Sequence, residues 1–294
     1  MRLYILGSGT PLPSADRFGS AYVIQIGDEY LMFDCGPAAT QKLAKVGISP
    51  VDIDNLFFTH HHFDHDVDYP CFLLSRWNLE VGMENKLNVY GPKLTEQLTH
   101  RLMDENHGAF SHDWIARINH PLSLNSYQVR GGKLPRPKPE IIAKDIGPGK
   151  ICNGKDWEIT AAPAEHVEPW LDSLAYRIDS SEGSLVITGD TRPCESVLNL
   201  AKDVDTLVCL CVYLQEEIDG TPEADYMCGS ITSAEMARDS NSRRLVLVHQ
   251  IHTLDEKSKQ EKALSDITNI FKGAVVWGEE LMGCLLYTSD AADE

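Results

Sequence analysis

The stretch Thr59-His60-His61-His62-Phe63-Asp64-His65 decides the fold and the chemistry of this chain. It follows an apolar run at 56–58, which predicts a buried strand over residues 55–59. A strand end is a rigid platform, and the turn after it can project several side chains toward one point. Imidazole is the commonest metal ligand, and carboxylates suit the same borderline cations. We therefore predict a metal site here rather than the simpler alternative, a solvated histidine-rich loop.

The spacing within this stretch predicts two adjacent metal sites rather than one. His60 and His62 lie two residues apart, so in an extended segment their side chains share a face. Asp64 and His65 then reach a second position beyond the bend. His61 points away from its two neighbours, so it is left out of the ligand set.

Two metal sites need more ligands than this loop holds, and similar residues follow other predicted strands. Apolar runs end shortly before His166, Asp190 and His249. A lone histidine after a strand is more often a hydrogen-bonded structural residue. The repetition at several strand ends, together with the histidine-rich loop, favours ligation. The predicted metal ligands are His60, His62, Asp64, His65, His166, Asp190 and His249.

These residues, in this order, resemble the five ordered motifs of the metallo-β-lactamase superfamily. The segments 6–11 (LGSGTP), 33–36 (FDCG) and 188–191 (TGDT) further resemble its ribonuclease Z-like branch. The resemblance runs from about residue 1 to about residue 283. It implies an α/β protein, a four-layer αβ/βα sandwich with the metal site on one rim.

The resemblance also implies two Zn²⁺ ions, with iron or manganese as alternatives at one position. One ion would be held by His60, His62, His166 and Asp190. The other would be held by Asp64, His65, Asp190 and His249, so that Asp190 bridges the pair. Asp34 resembles the carboxylate that orients a ligand from beneath the histidine-rich loop. The expected catalytic residues are Asp64, His65 and Asp190, with Asp64 orienting the attacking hydroxide.

The function expected from this set is hydrolysis of a small phosphodiester, sulfate ester or similar ester by a hydroxide that two zinc ions activate. Members that process the 3′ end of tRNA carry a long arm between the third and fourth motifs. Here only 24 residues separate His166 from Asp190. Those members also carry a His-Glu-Ala-Thr stretch where this chain has residues 209–212 (CLCV). The substrate expected first is therefore a small molecule.

The net charge of the chain also favours a small-molecule substrate. The formal net charge is −18, and an acidic surface repels phosphate backbones, so nucleic acid is a disfavoured partner. The first alternative remains a ribonuclease Z-like RNA phosphodiesterase, which a basic loop at 130–138 folding over the site would favour. The second is a metal-binding protein without turnover, which loss of a ligand would have favoured. Trp114, Trp170 and Tyr213 are candidates to line an organic-group pocket, although burial is commoner for such residues.

Length and composition predict one large domain, and the resemblance implies that it is a hydrolase domain over residues 1–283. Residues 284–294 (CLLYTSDAADE) look unrelated to what precedes them and are expected to be a non-native tail. No stretch approaches the ~18 apolar residues that span a bilayer, and no signal peptide is recognised. The eight cysteines form no CxxC pair and are expected to be free thiols, so we expect a cytoplasmic protein without a membrane partner. A homodimer is left open.

Strand and helix patterns alternate through most of the chain, which predicts sheets covered by helices. The segment 104–150 shows the least regular pattern. Its Pro/Gly-rich part, 131–139, predicts an exposed loop or lid. Ser233 is expected to cap a helix over residues 233–240.

Overall fold

The computed structural model describes residues 1–82 and 85–286, which contain fourteen strands and ten α-helices. The strands are Arg2–Gly7 (β1), Ala21–Ile26 (β2), Glu29–Phe33 (β3), Ile53–Phe57 (β4), Leu87–Gly91 (β5), Ile141–Asp145 (β6), Gly149–Asn153 (β7), Trp157–Ala164 (β8), Ser173–Ser180 (β9), Gly183–Ile187 (β10), Thr206–Leu210 (β11), Arg244–Val248 (β12), Ala274–Trp277 (β13) and Met282–Leu285 (β14). The helices are Ala39–Lys45 (α1), Phe63–Asp66 (α2), Tyr69–Leu79 (α3), Thr95–Met103 (α4), Ser111–Asn119 (α5), Pro121–Val129 (α6), Glu195–Leu200 (α7), Gln215–Ile218 (α8), Ser230–Asp239 (α9) and Lys257–Ile270 (α10).

The strands form two seven-stranded mixed sheets. The first has the order β14-β1-β2-β3-β4-β5-β6, and the second has the order β13-β12-β11-β10-β9-β8-β7. In the first sheet β3 to β6 are parallel, and in the second β10 to β13 are parallel. β8 runs in the same direction as β10, because each is antiparallel to β9. The carboxyl ends of these strands can therefore meet along one rim.

Both faces of each sheet are covered, which the side-chain alternation of β1 illustrates. Leu3 and Ile5 pack between the two sheets, against residues of the second sheet such as Ile159. Leu6 lies on the opposite face, in a cluster with helical residues such as Phe72 of α3. A third cluster packs α7, α9 and α10 against the outer face of the second sheet. The predicted four-layer αβ/βα sandwich is confirmed.

The prediction of an irregular segment at 104–150 was wrong. It contains α5, α6, β6 and the first two residues of β7. Trp114 is buried in α5 rather than placed in a loop, and Ile115 and Ile118 pack against the same core. The Pro/Gly-rich composition concealed these elements, although Pro121 is compatible with the first turn of α6.

The basic stretch 131–139 is not a free lid. The Arg136 guanidinium is buried and lies over the rings of Trp77 and Tyr127, at 3.9 and 4.9 Å from their centroids. Trp77 Nε1 donates a hydrogen bond to the carbonyl of Pro137 at 3.0 Å. These cation–π and hydrogen-bonding contacts hold the stretch against the last turn of α3. It does not fold over the rim where the metal ligands lie.

The structure also bears on the expected helix cap at Ser233 and on the expected domain boundary after residue 283. Ser233 does not cap its helix, because α9 already begins at Ser230, and the Ser233 hydroxyl donates to the carbonyls of Gly229 and Leu210. The predicted domain boundary after residue 283 falls within β14, which pairs with β1. Residues 287–294 of the predicted tail lie outside the described residues, so that boundary stays a prediction.

The remaining global features concern the membrane and the thiols. Within residues 1–82 and 85–286, no helix has the length and apolar character that crossing a membrane requires. All eight cysteines are unpaired, as expected. The homodimer stays a prediction.

Candidate metal centre

The candidate ligands lie just beyond the carboxyl ends of strands from both sheets. The histidine-rich loop follows β4 of the first sheet, while His166, Asp190 and His249 follow β8, β10 and β12 of the second. Two hydrogen bonds hold the loop against the second sheet: Leu174 N donates to Thr59 O at 2.9 Å, and the Tyr176 hydroxyl donates to Phe58 O at 2.7 Å. The seven residues named from the sequence therefore meet at one rim.

The histidine-rich loop ends in a single turn of helix, which carries two of its four candidate ligands. His62 precedes the short helix α2, which places Asp64 and His65 one residue apart on its first turn. The backbone of this turn is fixed from outside, because Cys35 N donates to His65 O at 2.6 Å. The loop therefore has the rigidity that a preformed ligand set needs.

The first group of ligands contains three imidazoles and one carboxylate: His60, His62, His166 and Asp190. One ligand atom of each residue lies within 4.8 Å of all the others. His62 Nδ1 lies 2.9 Å from His60 Nε2 and 3.3 Å from His166 Nε2. Burial, reinforced by the charge of nearby His65, lowers the pKa of His60 well below its ordinary value. This imidazole is therefore neutral, the form that binds a metal.

The second group contains Asp64, His65 and His249, all almost fully buried. Asp64 Oδ2 lies 3.3 Å from His249 Nε2 and 3.6 Å from His65 Nε2. Asp190 lies between the two groups, because its Oδ2 is 3.1 Å from His249 Nε2 and 3.8 Å from His166 Nε2. One carboxylate is thus within reach of both ligand groups.

Three imidazoles are oriented by a partner on the ring nitrogen that faces away from the centre. His65 Nδ1 lies 2.8 Å from Asp34 Oδ2, and His166 Nδ1 lies 3.0 Å from the carbonyl oxygen of Tyr226. The Thr59 hydroxyl donates to Asp34 and lies 3.1 Å from His60 Nδ1. Each of these contacts leaves the Nε2 lone pair directed into the centre, which is the arrangement typical of metal-binding histidines.

The donor set fits divalent cations of the zinc type. Within the described part of the chain, both Asp64 carboxylate oxygens, His65 Nε2 and His249 Nε2 are buried without a hydrogen-bond partner. Buried polar atoms are normally satisfied, so a cluster of unsatisfied ones facing each other indicates a missing partner. Imidazole and carboxylate donors without thiolates suit zinc, iron or manganese.

The charges of the second group are strongly interdependent. Burial alone would lower the pKa of His65, but the carboxylates of Asp64, Asp34 and Asp190 outweigh it and raise that pKa well above its ordinary value. Burial would raise the pKa of Asp190, but the imidazoles of His249 and His65 hold it well below its ordinary value. Without a cation, protonated imidazoles therefore neutralise the carboxylates. Metal binding must displace those protons.

This coupling predicts how the stability of the metal-free protein varies with pH. Burial would lower the pKa of His249, but Asp190 and Asp64 raise it from 6.5 to about 9. Because the folded state holds this proton more tightly than the unfolded state, the contribution is complete below pH 6.5 and is lost as pH rises through 9. We expect the free energy of unfolding in EDTA to fall by about 3 kcal/mol across this window through His249.

Denaturant unfolding at pH 6 and pH 9.5 measures this effect, and the His249→Gln variant provides the reference. The variant should lose stability less steeply than the wild type over the same range. Equal slopes for the two proteins would contradict the assignment of the raised pKa to His249.

The backbone conformation of two residues near the centre was not predicted from the sequence. Gly189, directly before Asp190, has φ +59°, and a Cβ there would lie 2.7 Å from Thr59 Cβ. Asp34 also has a positive φ of 58°. Both features position the bridging and orienting carboxylates. Tyr226 acts through its carbonyl, which every residue type carries, so side-chain patterns could not reveal it.

The other residues singled out from the sequence lie outside both ligand groups. His61 contacts Asp66 and Thr95, at 3.2 and 2.9 Å, as expected for a ring that points away. Trp170 is 86% exposed on the loop that follows His166, and its amide donates to Val167 O. Among the three aromatic candidates, Trp170 is therefore the most accessible.

The fold and the site together define a class of protein. It is a two-sheet sandwich in which histidine and aspartate side chains that can bind metal ions gather at one rim. The model of the metallo-beta-lactamase superfamily matches residues 15–208. The chain belongs to the metallo-beta-lactamase superfamily, and it is a metal-dependent hydrolase of the ribonuclease Z-like type. The prediction of an enzyme, rather than a metal-binding protein without turnover, is confirmed.

Curated relatives cover nearly the whole chain. A ribonuclease Z of Mycobacterium bovis (strain BCG / Pasteur 1173P2) is 27% identical over 289 residues, which are 96% of this chain and 96% of the relative. A ribonuclease Z of Mycolicibacterium gilvum (strain PYR-GCK) is 28% identical over 257 residues, 85% of this chain and 84% of the relative.

Solved structures support the fold. The metallo-beta-lactamase fold protein YhfI from Bacillus subtilis superposes with a TM-score of 0.72 at 19% identity, covering 96% of this chain and 98% of YhfI. The short form of human tRNase Z superposes with a TM-score of 0.67 at 17% identity, covering 98% and 100%.

Proposed function

We propose that this hydrolase is an RNA phosphodiesterase with two divalent cations, zinc in the first instance. The first ligand group would hold one cation and the second group would hold the other, with the carboxylate of Asp190 within reach of both groups. The observation that carries this proposal is the carboxylate of Asp190, which lies within 3.8 Å of an imidazole nitrogen in each group. A shared carboxylate between two facing donor sets is the arrangement that a metal pair requires.

Bound cations of this kind supply positive charge for the developing phosphorane and lower the pKa of water toward about 7. The protein residues perform the positioning. Asp64 has two buried oxygens without hydrogen-bond partners, so one can bind a cation while the other accepts a proton from the attacking water. Asp34 and Thr59 keep the imidazoles of His65 and His60 aimed at the centre.

The RNA substrate is supported by the curated ribonuclease Z relatives, which match this chain over nearly its full length. The match to these relatives outweighs our first expectation, which was a small ester substrate. Trp170 supports the same substrate, because an exposed indole four residues beyond His166 can stack on an unpaired base. The eight unpaired thiols support a cytoplasmic location.

A small phosphodiester or sulfate ester remains the second candidate, and three observations favour it. β8 and β9 pair along their whole length, from Trp157 opposite Ser180 to Ala164 opposite Ser173, which leaves only the short loop 165–172 between them for substrate contacts. The basic stretch around Arg136 is held at the last turn of α3, away from the centre. The net charge of −18 also favours a substrate with few phosphates.

The deciding experiment compares a tRNA precursor with a 3′ trailer, bis(p-nitrophenyl) phosphate, p-nitrophenyl sulfate and a lactone. Zinc content is measured alongside turnover for the wild type, His62→Ala and His61→Ala. We expect about two zinc ions per chain and RNA cleavage at the lowest enzyme concentration. His62→Ala should lose metal and cleavage, whereas His61→Ala should retain both, because its ring lies outside the ligand groups.

Each pattern of results has a separate meaning. Turnover of the small diester or the sulfate without cleavage of RNA would transfer the assignment to the second candidate. Full metal content and full turnover in His62→Ala would contradict the proposed centre itself.

A further inference from the structure

An apolar groove of about 250 Å³ opens directly beside the metal centre. It lies between the loop that follows β1 and the start of α2, and it reaches Asp64. Its apolar lining consists of Pro11, Leu12, Pro13, Phe18, Pro37 and Phe63. Pockets for drug-sized ligands are roughly 300–1,000 Å³, so this groove suits a single ring system.

The mouth of the groove carries two large apolar side chains that face solvent. Phe63 is 58% exposed and Leu12 is 50% exposed. Exposed apolar residues gathered at a concave site usually mark ligand binding. Since Phe63 lies between His62 and Asp64 in the chain, an occupant of the groove would lie against the metal centre.

The charges in the groove indicate a neutral occupant. Its cation, Arg17, pairs with Asp255 through two hydrogen bonds of 2.7 Å. The same guanidinium also donates to Ser8, Gln250 and the carbonyl of Gly278, so it is directed into the protein. A second phosphate in the groove would therefore lie near the negatively charged Asp64 without a free counter-charge from the described lining residues.

The wall of the groove is rigid. Gly19 lines it, and a Cβ on Gly19 would collide with the backbone oxygen of Asp64 and with Pro37. The absence of a side chain lets the loop pack directly on the turn that carries Asp64. The groove is thus preformed, which reduces the entropy lost on binding.

We propose that this groove binds the ring of the group that stays on the phosphate after cleavage, a nucleobase or an aryl group. This inference rests on the proposed phosphodiesterase function. If Asp64 orients the attacking water, then the leaving group departs on the opposite side of the phosphorus in an in-line displacement. The groove beside Asp64 therefore receives the retained ester group.

Two phosphodiesters that release the same leaving group test the proposal. Bis(p-nitrophenyl) phosphate and methyl p-nitrophenyl phosphate both release p-nitrophenolate, but only the first retains a ring. Phe63→Ser and Leu12→Ser should lower kcat/KM for the bis-aryl substrate about tenfold more than for the methyl substrate. Phe63→Tyr should retain the wild-type ratio. Leu122→Ser, at an equally apolar residue that is 70% exposed in α6, is the matched control.

A binding measurement separates failure of the groove from failure of the proposed function. Adenosine 5′-monophosphate and ribose 5-phosphate are titrated by calorimetry into the zinc-loaded wild type and Phe63→Ser. Tighter binding of the nucleotide in the wild type alone supports the groove, even if neither diester is turned over. Equal affinities for the two ligands, or equal kcat/KM losses for the two diesters, would overturn the proposal.

Discussion

Replacing Asp190 with alanine should reduce kcat/KM for a phosphodiester by at least about a thousandfold. The carboxylate lies within 3.8 Å of His166 Nε2 and 3.1 Å of His249 Nε2, so its loss removes a ligand from both proposed metal positions. The two imidazole sets would then lack the charge that holds neighbouring cations together. Metal analysis after gel filtration should show fewer than two zinc ions per chain.

The matched control for this experiment is Asp179→Ala in β9. Asp179 pairs with Arg177 at a half-exposed position, so its removal should leave metal content and turnover near the wild-type values. Retention of two zinc ions and full activity by Asp190→Ala would contradict a bridging role. Equal losses in both variants would instead indicate a general effect on folding.

Replacing Asp34 with asparagine should weaken metal binding roughly 10–100-fold. Asp34 accepts hydrogen bonds from Thr59 N, the Thr59 hydroxyl and His65 Nδ1, at 2.7–2.8 Å. The NH2 group of asparagine cannot accept a hydrogen bond, so either Thr59 N, or both the Thr59 hydroxyl and His65 Nδ1, would lose their acceptor. Asparagine tolerates the positive φ at this position, so the backbone should keep its conformation.

Competition with a metal chelator measures this change, and the melting temperature of the metal-free protein provides the check on folding. Asp34 acts as a positioning residue, so the pH profile of turnover should shift while the preferred substrate stays the same. Thr59→Val removes the hydroxyl that donates to Asp34, and it should also weaken zinc binding. Wild-type zinc affinity in Asp34→Asn would show that His65 is oriented without this carboxylate.

The ligand positions were accessible from sequence because each follows a short apolar strand. His166, Asp190 and His249 could be grouped with the histidine-rich loop because metal-type residues recur where apolar runs end and because their order resembles the superfamily motifs. Among the outer contacts, the sequence indicated Asp34, through the family resemblance, but not the others. The carbonyl of Tyr226 carries no side-chain signature, and the fit of Gly189 against Thr59 depends on a contact between the two sheets.

The errors have physical causes of a similar kind. The stretch 131–139 is a largely exposed loop, as expected, but stacking on Trp77 buries the Arg136 side chain and holds the stretch in place, so it is not a free lid. Such a contact joins residues about sixty positions apart, which local composition cannot predict. Ser233 has the side chain of a helix cap, yet tertiary packing starts the helix earlier and turns the hydroxyl toward Leu210.

Because the candidate ligands are divided between the two sheets, tight metal binding requires that both sheets have folded and packed together. Four of the seven candidate ligands follow a strand of the first sheet, and three follow strands of the second. A nascent chain with one folded half would hold cations weakly and catalyse nothing. Hydrolytic competence would then arise only once both halves have docked, so partly folded molecules in the cell would be incapable of indiscriminate cleavage.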